Sequence, residues 1–202
     1  VTIRLVLADD QALVRGALAA LLDLEPDLEV VGQAENGEEV LTVVEETAPD
    51  VVLMDVEMPG GDGIEATTRI RERHPSVHVL VVTTFGRPGY LRRAMQAGAS
   101  GFVVKDTPAA GLADAVRRAH AGLRVVDPAL AADSLALGDS PLTPRETEVL
   151  RAAATGATIA QMAKSLYLSE GTVRNHLSSI IGKTTARNRA DAVRVARDAG
   201  WL

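Results

Sequence analysis

The stretch Val51-Val52-Leu53-Met54-Asp55-Val56-Glu57-Met58-Pro59 decides the fold. Its first four residues are apolar without alternation, as expected of a strand covered by helices on both faces; a half-solvated strand would alternate. Outward from it, short apolar runs recur at Ile3–Ala8, Glu29–Ala34, Val77–Thr83 and Gly101–Val104. With Val51–Asp55 they predict five strands. Between them, Ala12–Leu22, Glu38–Thr47, Gly63–Arg73, Tyr90–Ala97 and Ala109–Ala121 predict helices. Strands alternating with helices give an α/β fold, a (βα)5 doubly wound parallel sheet expected in the order 2-1-3-4-5. Pro26, Pro49, Pro59, Pro75 and Pro88 fall between or at the edges of these elements, where a missing backbone N–H does least harm.

After Gly122 the pattern changes. Residues 125–139 hold Pro128, Gly138 and Asp139 around an Ala/Leu-rich stretch and read as a linker with one short helix. Beyond it helical periodicity runs through Pro144–Ala154, Ile159–Leu166, Glu170–Ile181 and Arg189–Ala199. The expected domains are therefore 1–124, a linker at 125–139, and a small all-α domain at 140–202.

The chain of 202 residues carries a net charge of −6, which does not point to nucleic acid. The halves differ, however. Residues 140–202 carry nine Lys/Arg against five Asp/Glu, a net of +4, while residues 1–139 carry twelve against twenty-two, a net of −10. Such asymmetry points to different partners for each half; two ordinary solvated surfaces are the alternative. The absence of Cys excludes disulfides and thiolate metal sites and fits a reducing cytoplasm. No apolar run approaches the roughly 18 residues of a membrane span, and the first residues read as a strand rather than a signal peptide, so no membrane insertion is expected.

Asp9 and Asp10 follow the first strand, Asp55 ends the third, Thr83 the fourth, and Lys105 lies just past the fifth. Sites in open parallel sheets lie beyond the carboxyl ends of strands, where strand order reverses, so the three carboxylates converge on one crevice. Their repulsion calls for a cation, and hard oxygen ligands suit Mg²⁺. Each residue alone has an ordinary alternative. Asp9 or Asp10 could cap the following helix. Asp55 could be a strand-end polar residue, Lys105 a solvated lysine and Thr83 a β-former. Their shared position at strand ends favours the functional reading.

These residues, with the run Asp55-Val56-Glu57-Met58-Pro59-Gly60-Gly61-Asp62-Gly63, closely resemble the receiver domain of two-component response regulators, whose fold is flavodoxin-like. The resemblance covers residues 2–124. It implies that Asp55 accepts a phosphoryl group from a phosphohistidine on a partner sensor kinase. It also implies that Asp10 and Asp55 ligate Mg²⁺ by side chain, Glu57 by its backbone carbonyl, with Asp9 as outer-shell support. Lys105 then pairs with the phosphoryl oxygens and Thr83 donates its hydroxyl to one. Phe102 matches the family's switch aromatic, with a plain core residue as the alternative. The loop Thr84-Phe85-Gly86-Arg87-Pro88-Gly89 is glycine-rich enough to move as Thr83 does.

In the second half, Thr143 is placed as an N-cap, Pro144 as the first helical residue, and Glu146 completes a capping box. Two helices broken at Tyr167-Leu168-Ser169 follow, with Ser169 capping the second. Ile159, Ala160, Ala163, Leu166, Val173 and Leu177 have the spacing to pack them together. The outer side of the helix from Glu170 then presents Thr172, Arg174, Asn175, His176 and Ser178. Arg and Asn can bind guanine and adenine bidentately, and Lys183, Arg187 and Arg189 are placed for phosphates. His176 lacks partners at metal-ligand spacing. Leu142-Thr143-Pro144-Arg145-Glu146 and Gly171-Thr172-Val173-Arg174-Asn175-His176 resemble the LuxR-type helix-turn-helix, which implies that Arg174, Asn175 and Ser178 face the bases. The sequence departs from that family at Gly182-Lys183-Thr184-Thr185-Ala186, where a softer end to the recognition helix is expected.

The two resemblances together are those of the NarL/FixJ class of response regulators, and Thr83 to Tyr90 is most similar to the DesR type, which controls membrane-lipid desaturation. The implied function is transcription regulation from the cytoplasm: phosphorylation of Asp55 promotes a homodimer, through the first and last receiver helices, that binds double-stranded promoter DNA. Two rivals stand beside it. One is a regulator of the same fold that works without phosphorylation. The other is an Asp-nucleophile phosphatase, which leaves residues 140–202 unexplained.

Overall fold

The computed structural model describes residues 2–58, 63–84, 88–128, 130–132 and 140–202. Three features named above therefore fall wholly or partly outside the described residues: Pro59 to Asp62 of the acidic run, residues 85–87 of the glycine-rich loop, and residues 133–139 of the linker. The chain divides into two compact units, with the main boundary between Ala131 and Ala132 and the short segment Arg87–Tyr90 grouped with the second.

The first unit is a six-stranded parallel sheet of β1 (Ile3–Ala8), β2 (Leu28–Ala34), β3 (Val51–Met54), β4 (His78–Thr83), β5 (Gly101–Val104) and β6 (Val125–Val126), in the order β2-β1-β3-β4-β5-β6. The helices are α1 (Ala12–Leu22), α2 (Gly37–Thr47), α3 (Gly63–Arg73), α4 (Pro88–Gln96) and α5 (Ala109–His120). The strand β6 adds to the five-strand expectation. Its two valines pair with Gly101 and Phe102. Gly101 permits this, since a Cβ there would lie 2.5 Å from the Val125 carbonyl oxygen.

Every residue of β3 is buried, and successive side chains enter different cores. Leu53 packs with Leu5, Leu22, Leu80, Leu112 and Val116. Val52 and Met54 pack with Val6, Val40, Val44, Ile70 and Val79. Two apolar layers therefore clamp the sheet, which is why the strand shows no polar alternation.

The second unit holds α6 (Pro144–Ala154), α7 (Ile159–Ser165), α8 (Glu170–Lys183) and α9 (Arg189–Asp198). The capping box at Thr143 and Glu146 forms as expected, and Thr158 with Gln161 makes a second. Ser169 accepts the Thr172 amide at the start of α8. Val149, Leu150, Met162, Val173, Ile180, Ala192 and Ala196 form the core. Ala163 and Leu177 join it as expected, with Ile159 and Leu166 half-buried against it, but Ala160 is exposed and Met162 takes the inward position. The helix from Glu170 does not end at Ile181. α8 runs on through Gly182 and Lys183 to a cap at Thr184, whose buried hydroxyl donates to the Ile180 carbonyl at 2.8 Å. That bond satisfies the threonine hydroxyl in a buried position.

Glu146 ties this unit together. Its buried carboxylate accepts the Thr143 amide, the Ser179 hydroxyl and the Lys183 ammonium, each at 2.7 Å. Burial pushes its pKa up, but the Lys183, Thr143 and Ser179 bonds win and bring it from 4.5 down to about 2. The folded pKa thus lies below the unfolded one. The stabilisation is complete above about pH 4.5 and is lost as pH falls from there towards 2. In Glu146→Gln that slope should flatten, with a loss of about 2 kcal/mol at neutral pH. The single tryptophan, Trp201, packs on this core and reports unfolding by fluorescence; an unchanged acid slope counts against the assignment.

Candidate functional site

Backbone register assembles the first site. Ala8 pairs with Met54 and Met54 with Val81, so the residues that follow β1 and β3 leave the sheet side by side. Thr83 ends β4 opposite Val104, the last residue of β5, and Lys105 follows directly. Asp9 and Asp55 are buried at the strand ends, Asp10 is exposed, and carboxylate oxygens of all three lie within 4.8 Å of one another. Lys105 reaches across, its Nζ 2.6 Å from Asp9 Oδ2 and 2.8 Å from Asp55 Oδ2. Thr83 is buried, and its carbonyl accepts the Lys105 amide at 2.7 Å.

Asp9 is not the cap of α1. Gln11 is the N-cap residue and makes no side-chain cap bond, while Asp9 Oδ1 accepts the Gln11 amide at 2.9 Å and so fixes the turn that carries Asp10. Asp55 Oδ1 accepts the Val56 amide at 2.7 Å. Gly63 has a steric role. A Cβ there would stand 1.8 Å from the Asp55 carbonyl oxygen, so only glycine lets α3 begin against the acid. Glu57 lies two residues past Asp55 with its side chain exposed, and Phe102 is fully buried within β5. Sequence reasoning missed Arg15, whose guanidinium donates to the Asp9 carbonyl. An arginine six residues on, in a helix otherwise free of charge, was the available signal.

Burial raises the Asp55 pKa above the ordinary carboxylate value, reinforced by the Asp9 charge and opposed by Lys105. Burial works against the Lys105 ammonium too, but its bonds to Asp55 and Asp9 prevail and its pKa is raised. The donor set is oxygen-only, crowded and net negative even with Lys105 counted. It fits a hard divalent cation such as Mg²⁺, which Asp10 and Asp55 could ligate.

In the second unit, Arg174, Asn175 and Ser178 are exposed on α8, while Val173, Leu177 and Ile180 on its other side enter the core. Thr172 is half-buried, with its hydroxyl 2.8 Å from Ser169 Oγ. Several cations have partners within the unit. Arg174 pairs with Glu170 at 2.8 Å, Lys183 with Glu146, and Arg187 with Asp191, while Arg189 donates to the Ala157 carbonyl at 2.9 Å.

Comparison with known proteins gives the same division. Residues 5–117 match the response regulator receiver domain, and residues 140–196 match the family described as bacterial regulatory proteins, luxR family. The chain belongs to the LuxR-type response regulators. It is 46% identical to the transcriptional regulatory protein YvfU of Bacillus subtilis, across 99% of this chain and 100% of that one, and 40% identical to DesR of the same organism, across 99% of each. Among solved structures, the response regulator ChrA of a heme-sensing two-component system aligns over 100% of this chain and 99% of its own, with 34% identity and a TM-score of 0.59. RcsB of Salmonella enterica serovar Typhimurium, bound to a promoter with the phosphomimetic BeF3−, aligns over 98% and 99% with 25% identity and a TM-score of 0.72. The receiver sheet and the helix-turn-helix of this response regulator are thus those of transcriptional regulators in two-component systems.

The raised Asp55 pKa has a measurable consequence. A carboxylate whose folded pKa exceeds its unfolded value weakens the fold near neutral pH. Without divalent cations, Asp55→Asn should therefore melt at a higher temperature than the wild type. Millimolar MgCl₂ should raise the wild-type melting temperature by ligand linkage and raise the variant's far less. Equal shifts in differential scanning fluorimetry would count against Asp55 as a cation ligand.

Proposed function

We propose that this response regulator is switched by phosphorylation of Asp55 and then binds promoter DNA as a homodimer. The observation that carries the reading is the Lys105 bridge to Asp9 and Asp55, set inside a three-carboxylate cluster on a chain that also holds a helix-turn-helix. An Asp55 carboxylate oxygen attacks phosphorus on the phosphohistidine of a sensor histidine kinase. A P–O bond forms, the P–N bond breaks, and the imidazole leaves with its electron pair. The Asp10 and Asp55 side chains and the Glu57 carbonyl, with Asp9 behind them, would hold Mg²⁺, which would supply charge neutralisation to the phosphoryl oxygens.

Lys105 exchanges carboxylate oxygens for phosphoryl oxygens, and Thr83 donates its hydroxyl to one of them. Phe102, in the strand between Thr83 and Lys105, repacks as these ends shift. The receiver population moves towards a form that dimerises. The dimer surface is placed on α1 and α5: α1 carries Arg15 as its one charged residue and leaves Leu13 87% exposed. Two copies of α8 then enter successive major grooves at half-sites about one helical turn (~34 Å) apart. Arg174, Asn175 and Ser178 read bases, supported by Thr172, while Lys183, Arg187 and Arg189 contact phosphates. The protein works in the cytoplasm as a regulator rather than an enzyme; among the described residues no helix is long and apolar enough to cross a membrane.

Acetyl phosphate with Mg²⁺ should shift the wild type towards dimer in analytical ultracentrifugation and tighten promoter binding about tenfold or more in gel shift. Asp55→Asn should show neither response. An equal response from this variant would move the regulator to the phosphorylation-independent class.

A further inference from the structure

Glu170 is the first residue of α8, and its carboxylate lies 2.8 Å from the Arg174 guanidinium, with both side chains half or more exposed. An acid at a helix start followed by a base four residues on weakly stabilises any helix. This one stands in a less ordinary place. Residues 170, 174 and 178 are spaced i, i+4, i+8 and share a row along the helix. All three are exposed, in a row beside the buried Val173, Leu177 and Ile180. Glu170 is thus the N-terminal member of the row that continues through Arg174 and Ser178, and a recognition helix presents its N-terminal residues to base edges. A carboxylate there repels DNA phosphates, so it costs affinity on every sequence alike. It gains something only on a base with a donor to offer.

In the major groove those donors are the N4 amino group of cytosine and the N6 amino group of adenine. Adenine's lies beside the N7 acceptor, which repels a carboxylate, so Glu pairs best with cytosine, and guanine and thymine present only acceptors where it would approach. The pair also restrains Arg174. A guanidinium held from its N-terminal side is kept along the row and away from the flanking phosphates. Its remaining N–H groups are left for the guanine edge.

We propose that Glu170 is a specificity-determining residue: it holds Arg174 for base contact and accepts a hydrogen bond from a cytosine amino group next to the base that Arg174 reads. The inference rests on the proposed role of α8 as the DNA-reading helix. The test is selection of binding sites from randomised duplexes by the full-length, acetyl-phosphate-treated protein, comparing wild type with Glu170→Gln and Glu170→Ala. Competition titrations then measure affinity for the selected site and for a scrambled duplex.

The wild type should enrich a C·G pair that both variants lose, with preference at that one pair falling roughly tenfold and the other positions kept. Both variants should bind the scrambled duplex more tightly than the wild type. If the variants enrich the wild-type consensus unchanged, or lose preference uniformly at every position, Glu170 does not read a base and the proposal is overturned while the role of α8 stands. If the wild type enriches no sequence at all, the DNA-reading role of α8 falls and this proposal with it. Matching thermal melts of the three proteins keep loss of fold from imitating either outcome.

Discussion

Three carboxylates with oxygens within 4.8 Å of one another are held at the ends of β1 and β3, and one ammonium group offsets part of their repulsion. Two of the acids are almost fully buried, so water does little to screen them. Lys105 answers by bonding Asp9 and Asp55 together, yet the raised Asp55 pKa shows that burial and like charge still outweigh the pairing. The cluster is therefore short of positive charge, and any process that brings a cation into it is favoured electrostatically. The same lysine is shared by Asp9 and Asp55, so a change in charge at Asp55 is felt at the end of β5.

The sheet makes this crowding unavoidable. Parallel strands all end on the same side, and β1 and β3 are neighbours, so acids one residue past each strand cannot separate without breaking the ladder. Gly63 then lets α3 start against the Asp55 backbone, with its amide bonded to the Val56 carbonyl. Arg15 anchors the Asp9 carbonyl from the side of α1. The acids are fixed by backbone contacts on both sides before their side chains meet anything.

The parts legible in the sequence were those encoded by local spacing. The β3 run, the acids at strand ends, and the Thr143 and Ser169 caps need only a few adjacent residues to declare themselves, and each appears where expected. The parts that were not legible depend on distant partners. Val125 and Val126 are too short a run to signal a strand and become one because the edge of β5 is open beside them. Glu146 read as a capping residue, which it is, but its pairing with Lys183 spans 37 positions and leaves no local trace. Ala160 and Met162 exchanged roles because helical spacing fits both, and only the larger side chain reaches the core. Gly182 signalled weakness from propensity alone, yet the helix runs past it to the buried Thr184 cap and the Lys183 tie.

Ion pairs within the second unit bear on how it would hold DNA. The nine Lys and Arg of residues 140–202 overstate what is free for phosphates. Arg174 is paired with Glu170, Lys183 with Glu146, and Arg187 and Arg194 with Asp191. Each pair must be loosened or shared when a phosphate or base arrives, which lowers the electrostatic gain that drives non-specific binding. A single copy on these terms binds weakly. Joining two copies makes the second contact intramolecular and raises affinity without adding a new one. Under the proposed dimerisation, a helix-turn-helix with more than half of its cations paired is suited to control by assembly: the pairing weakens a lone copy's hold on DNA, and joining two copies would restore it.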